Sequence, residues 1–264
     1  MTRNSIAFAC AWLLGIAIGG LKNPAVLITS PPKNLSLDPF NKKYIDANGI
    51  PVVSSEKVTD QALVEARVLV VKMLSKRDEL RKALIANKTR VAIMAPSEVT
   101  IDIPEHKDLY QVFPGTDWNN RCRGVGATKV RPVCSVGEEN LLGYQNDRYR
   151  GESILIHEFG HTILNMGISN TNTDFIWTLK QTYNDAISKG LWKDTYAGSN
   201  ADEYWAEGVQ DWFDANLKAN PPNGIHNEIH TRKGLKEYDP DLFSLLAQVF
   251  PDDEWRYCYP KLER

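Results

Sequence analysis

Residues 153–164, Ser-Ile-Leu-Ile-His-Glu-Phe-Gly-His-Thr-Ile-Leu, hold two histidines four positions apart, with a glutamate directly after the first. On a helix, positions i and i+4 share a face, so His157 and His161 project side by side. Two neutral imidazoles at that spacing can hold one Zn2+ at about 2.0–2.1 Å each, and Glu158 beside them is placed to act on a water rather than to ligate. The opposite face carries Leu155, Phe159, Ile163 and Met166, which would anchor the helix in a core. The chain has only five histidines, so two meeting this pattern by accident is improbable.

Such a site needs a third ligand. The extension that supplies a glycine and a third histidine after the word is absent, because Leu164 and Gly167 stand at those places. The other common solution is a glutamate from a later helix, which leaves the fourth position open for water. The segment 195–217 offers one: Trp205, Val209, Trp212 and Phe213 form an apolar stripe, while Glu203 and Glu207 lie together on a different face. One of these carboxylates could ligate while the other supports a histidine N–H. Their spacing alone allows either assignment.

The words His-Glu-Phe-Gly-His and Tyr-Ala-Gly-Ser-Asn-Ala-Asp-Glu-Tyr-Trp-Ala-Glu, at 157–161 and 196–207, resemble the zinc-peptidase domain of anthrax toxin lethal factor and its relatives. The resemblance covers residues 150 to 215. It implies a zincin-like fold of α+β class, one Zn2+ per chain on His157, His161 and Glu203, Glu158 as general base, and Tyr196 facing the substrate oxyanion. Glu207 is then left to support the ligands. It also implies a protein or peptide substrate and a metalloendopeptidase activity. The rival is a catalytically silent zinc-containing binding module of the same fold. Retention of Glu158 and Tyr196 favours the enzyme, since a pure binding module needs neither.

The rest of the chain sets the context. At 264 residues and 42% hydrophobic it can bury a sizeable core, and a net charge of −2 gives no field for nucleic acid. The first 19 residues read as a secretory signal peptide, with a basic start at Arg3 and an apolar run, Ile6 to Ile18, shorter than the roughly 20 residues of a membrane span. An uncleaved anchor is the alternative. Cleavage would leave a secreted chain with no stable membrane span. Residues 20–43 read as an extended lead-in and 44–264 as one catalytic domain, α/β in its N-terminal part and mainly helical in its C-terminal part.

Within that domain, residues 60–86 predict a buried helix and a second short one, 89–96 and 98–104 predict strands, and 112–151 predicts mostly loop. Helices are predicted over 152–166, 173–189, 201–217 and 240–249. Removing Cys10 with the leader leaves Cys122, Cys134 and Cys258, so one disulfide is expected, either Cys122 with Cys134 or Cys258 with one of them. His226 and His230 are again four apart, but the residues between them, Asn227, Glu228 and Ile229, do not repeat the metal-base pattern, which needs the glutamate directly after the first histidine. Arg232 and the run Glu138-Glu139-Asn140 are weaker candidates for the cleft.

Overall fold

The computed structural model describes residues 27–260; the leader and part of the lead-in lie outside them. Five strands form one sheet in the order β1-β2-β3-β5-β4. Strands β1 (Lys43–Ala47) and β2 (Ile50–Ser54) make an antiparallel hairpin. Its two-residue turn, Asn48-Gly49, has φ of 55° and 94°, the left-handed values that a tight hairpin requires. Strand β2 then runs parallel to β3 (Arg90–Met94), and β3 parallel to β5 (Val133–Gly137). Strand β4 (Gly124–Val125) pairs antiparallel with β5 at the sheet edge.

Helices α1 (Asp60–Met73) and α2 (Asp78–Ala86) follow the hairpin, as the periodicity of 60–86 predicts. The short helices α3 (Leu109–Val112), α4 (Trp118–Arg121) and α5 (Glu138–Leu142) lie in the middle of the chain. The second half is helical: α6 (Ile154–Thr162), α7 (Ser169–Thr171), α8 (Thr173–Ser188), α9 (Ala201–Trp212), α10 (Arg232–Tyr238) and α11 (Pro240–Val249). The chain is thus α+β, and one buried cluster joins Val91 and Ile93 of β3 to Phe159 of α6 and Trp205 of α9.

Several expectations are corrected. Residues 98–104 form no strand but two 3-10 turns, Thr100–Asp102 and Pro104–His106. There the Val99 N–H donates to Asp102 Oδ2 at 2.9 Å and the Thr100 hydroxyl to the Cys122 carbonyl at 2.9 Å, so polar side chains displace a ladder. The 112–151 segment contains β5, every residue of which is buried; a short run covered on both faces shows no alternation. The helix from residue 201 ends at Trp212, and Asp214 is left-handed. The lead-in is tied to the sheet, where Thr29 and Tyr44 exchange backbone bonds of 3.0 and 2.8 Å.

No disulfide joins Cys122, Cys134 and Cys258. Cys134 is fully buried in β5, Cys122 follows α4 and Cys258 is exposed in the tail. Among the described residues no helix is long and apolar enough to cross a membrane.

Candidate metal centre

Helix α6 is fixed at its start and along one side. Ser153 caps it, accepting from the Ile156 N–H at 3.3 Å, and Asn140 Oδ1 accepts from the Ile154 N–H at 2.8 Å. Its partner α9 is capped by Asn200, whose Oδ1 accepts from the N–H groups of Asp202 and Glu203 at 3.0 Å each. The two helices meet closely at Gly160, where a Cβ would stand 3.3 Å from Val209, and the Trp205 indole N–H donates to the Gly160 carbonyl at 2.9 Å. The apolar stripe of α9 and the Leu155, Phe159, Ile163, Met166 face of α6 are buried, as their spacing predicts. This packing aims Glu203 at the two histidines.

Three donor atoms converge there. Glu203 Oε2 is 3.2 Å from His157 Nε2 and 3.1 Å from His161 Nε2, and the two Nε2 atoms are 3.2 Å apart. Tetrahedral bonds of 2.0–2.1 Å imply edges of about 3.3–3.4 Å, so this triangle fits one face of a zinc coordination sphere. Among the described residues this is the group of His, Cys, Asp and Glu side chains placed to hold a metal ion.

The opposite ring nitrogen of His157 is also occupied. His157 Nδ1 lies 2.8 Å from Gln210 Oε1 and 3.4 Å from Glu207 Oε1. Both partners accept, so the proton sits on Nδ1 and the Nε2 lone pair is free for a metal. Glu207 is buried and takes a 3.0 Å bond from Asn216. Gln210 is fully buried; its amide N–H donates to Glu152 Oε2 at 3.2 Å and to the Ser153 carbonyl at 3.3 Å. The sequence reading missed Gln210, although it lies seven residues after Glu203, two helical turns on, which is the signal that could have found it.

Glu158 faces the same cleft from α6. Burial raises its carboxyl above the ordinary glutamate value, against the pull of His157 and His161. For Glu203, burial alone would raise the carboxyl, but the His157 and His161 imidazoles against it outweigh burial and hold it well below the usual range. The Tyr196 hydroxyl donates to Glu203 Oε1 at 2.9 Å, and its ring stacks on His157 with centroids 6.1 Å apart. Burial and the Glu203 charge push that phenol up, so it stays protonated at neutral pH. Tyr196 is held from the far side by its N–H, which donates to the Ile225 carbonyl at 2.8 Å.

His157, Glu158, His161, Tyr196, Glu203 and Glu207 line a cleft of about 430 Å³. The edge strand β4 and Gly126 directly after it also line the cleft, beside Glu158. Trp118, Arg121, Cys122 and Tyr149 also line the cleft, from a region the sequence marks only as loop.

The weaker candidates fall elsewhere. Arg232 is buried, stacked 4.3 Å from the Trp212 ring and donating to the Trp212 carbonyl at 2.7 Å. Glu138 accepts from Thr59, Glu139 pairs with Arg123, and Asn140 anchors α6, so all three hold structure. His226 is buried near Glu152 while His230 Nδ1 lies 3.1 Å from the Glu228 carbonyl, and the two share no site.

No protein-family model matches the chain, and no curated protein does so significantly. Among solved structures it is similar to the PRO-PRO endopeptidase (PPEP-2) from Paenibacillus alvei. The match has 19% identity and a TM-score of 0.49, covering 75% of this chain and 97% of that one. So distant a likeness assigns neither fold nor chemistry.

Proposed function

We propose that this protein is a secreted zinc metallopeptidase of zincin-like fold, holding one Zn2+ per chain on His157, His161 and Glu203. The convergence of those three donor atoms within 3.2 Å of one another, in a cleft that also presents Glu158 and Tyr196, is the observation that carries this reading. A zinc ion there would supply Lewis acidity, acidifying a water and polarising the scissile carbonyl.

The remaining work falls to side chains. Glu158, its basicity raised by burial, takes the proton of the attacking water and passes it to the leaving amine. Tyr196 turns its hydroxyl from Glu203 toward the oxyanion that develops on the carbonyl, and a protonated phenol can donate without a change of charge. Gln210 and Glu207 fix the tautomer and the plane of His157. Secretion rests on the N-terminal leader.

Metal analysis of the purified chain, joined to a peptide-hydrolysis assay with and without chelator, tests the proposal. One equivalent of zinc and chelator-sensitive cleavage are expected. A chain that takes up no zinc, or cleavage indifferent to chelation, refutes it.

A further inference from the structure

One arginine–aromatic pair lines a wall of the cleft, and a second adjoins it through Tyr149. The Arg121 guanidinium lies over the Trp118 ring, 5.5 Å from its centroid, and that of Arg148 lies over Tyr149 at 5.1 Å. Arg148 also donates to the Asn120 carbonyl at 2.7 Å, which ties the two pairs together. Neighbouring arginines are engaged with acids, Arg123 with Glu139 and Arg131 with Asp108. Arg121 is exposed, and it makes no ion pair among the described residues.

Its setting gives that cation a use. Among the described residues lining the cleft, Arg121 is the one lysine or arginine, while the interior carries Glu152, Glu158, Glu203 and Glu207. An acidic group on a peptide would be repelled by those glutamates and drawn to the α4 wall. The contact with Trp118 holds the guanidinium over the ring, and its N–H groups make no hydrogen bond among the described residues, so they remain available for a bidentate bond with a carboxylate.

The geometry points to Arg121 as a specificity-determining residue that takes a substrate carboxylate, from either an Asp or Glu side chain or a free C-terminus. This inference rests on the peptidase reading above. It predicts peptides with such a group close to the scissile bond, lying on the Trp118 side of the cleft.

The test uses the zinc-loaded protein and a degenerate peptide mixture, with products identified by mass spectrometry. Cleaved sequences are then resynthesised in pairs: Glu against Gln, Asp against Asn, and free C-terminus against amide. The wild type should favour one kind of carboxylate by about tenfold in kcat/KM, the low end for a charge-assisted bond at an exposed site. Which pair shows the preference tells the side chain from the C-terminus. In Arg121→Gln the ratio should collapse to about one, and in Arg121→Glu it should turn toward a lysine counterpart. Zinc content and circular dichroism matched to wild type tie such a change to recognition.

Cleavage that ignores charge in the wild type, or a ratio unmoved by Arg121→Gln, overturns the inference and leaves the peptidase reading standing. A mixture that the zinc-loaded wild type does not cleave at all overturns both.

Discussion

The Gln210 amide oxygen lies 2.8 Å from His157 Nδ1, closer than the 3.4 Å of the Glu207 carboxylate. The histidine at the centre of the site is therefore steered first by a neutral side chain that is itself held in a fully buried network. Glu207 stands behind as a second acceptor, fixed by Asn216.

Zinc titration of three variants should rank accordingly. Glu203→Ala should lose zinc severely, because an anionic ligand atom is gone. Gln210→Ala and Glu207→Ala should weaken binding by about 10- to 100-fold each, as loss of an orienting partner does. Zinc affinity falling further in Glu207→Ala than in Glu203→Ala would mean that the two glutamates have exchanged roles.

Chemistry and metal binding should separate at Glu158 and Tyr196. Glu158→Gln should abolish hydrolysis with zinc retained, since an amide cannot take the water proton. Tyr196→Phe should lower kcat by about 10²–10³, the usual cost of one oxyanion donor, with a smaller effect on zinc affinity. Steady-state kinetics on zinc-loaded variants measure both. Wild-type turnover by Glu158→Gln would remove it as the base.

Much of this site is legible in the sequence for a plain reason. His157, His161 and Glu158 lie within one helical turn, and Tyr196 through Glu207 within a segment of 12 residues, so local periodicity carries both halves. What the sequence does not state is that α6 and α9 meet at Gly160, or that Trp118 and Arg121 of the one-turn helix α4, too short to show a period, and Tyr149 line the cleft. In the fold, long amphipathic helices are read well. Strand β5 is missed because burial on both faces erases alternation, and Asn48-Gly49, a hairpin signal in its own right, goes unused. The disulfide expectation came from cysteine count and compartment, which say nothing of where the three side chains lie.

Gly126, directly after the edge strand β4, offers a test of how tightly that edge is held. A Cβ there would come 2.8 Å from the His161 Cβ and 3.2 Å from the Glu158 carbonyl oxygen, atoms that cannot swing aside as a flexible side-chain tip does. Gly126→Ala should cost about 1–3 kcal/mol of stability, as overpacking does, and should lower kcat/KM by shifting Glu158 and His161. Denaturation curves and kinetics together check this. A variant that melts and turns over like wild type would show that β4 yields freely.

The acid side of the stability profile should carry the mark of His106. This residue is fully buried, its Nε2 lies 3.0 Å from Ser135 Oγ, and its Nδ1 has no partner. Burial lowers its pKa from 6.5 to about 4, against the nearby Glu105 charge. The unfolded chain protonates this imidazole near its ordinary value, whereas the fold refuses the proton until about pH 4. Stability must therefore fall as pH drops from 6.5 toward 4, by about 2 kcal/mol at pH 5 from this group alone. His106→Gln removes the titration. It should be less stable than wild type at pH 7, through lost packing, yet lose less stability between pH 7 and pH 5. Urea unfolding of both proteins at the two pH values, with metal removed from each, isolates the difference. Equal acid slopes would show that His106 takes up its proton without unfolding the chain.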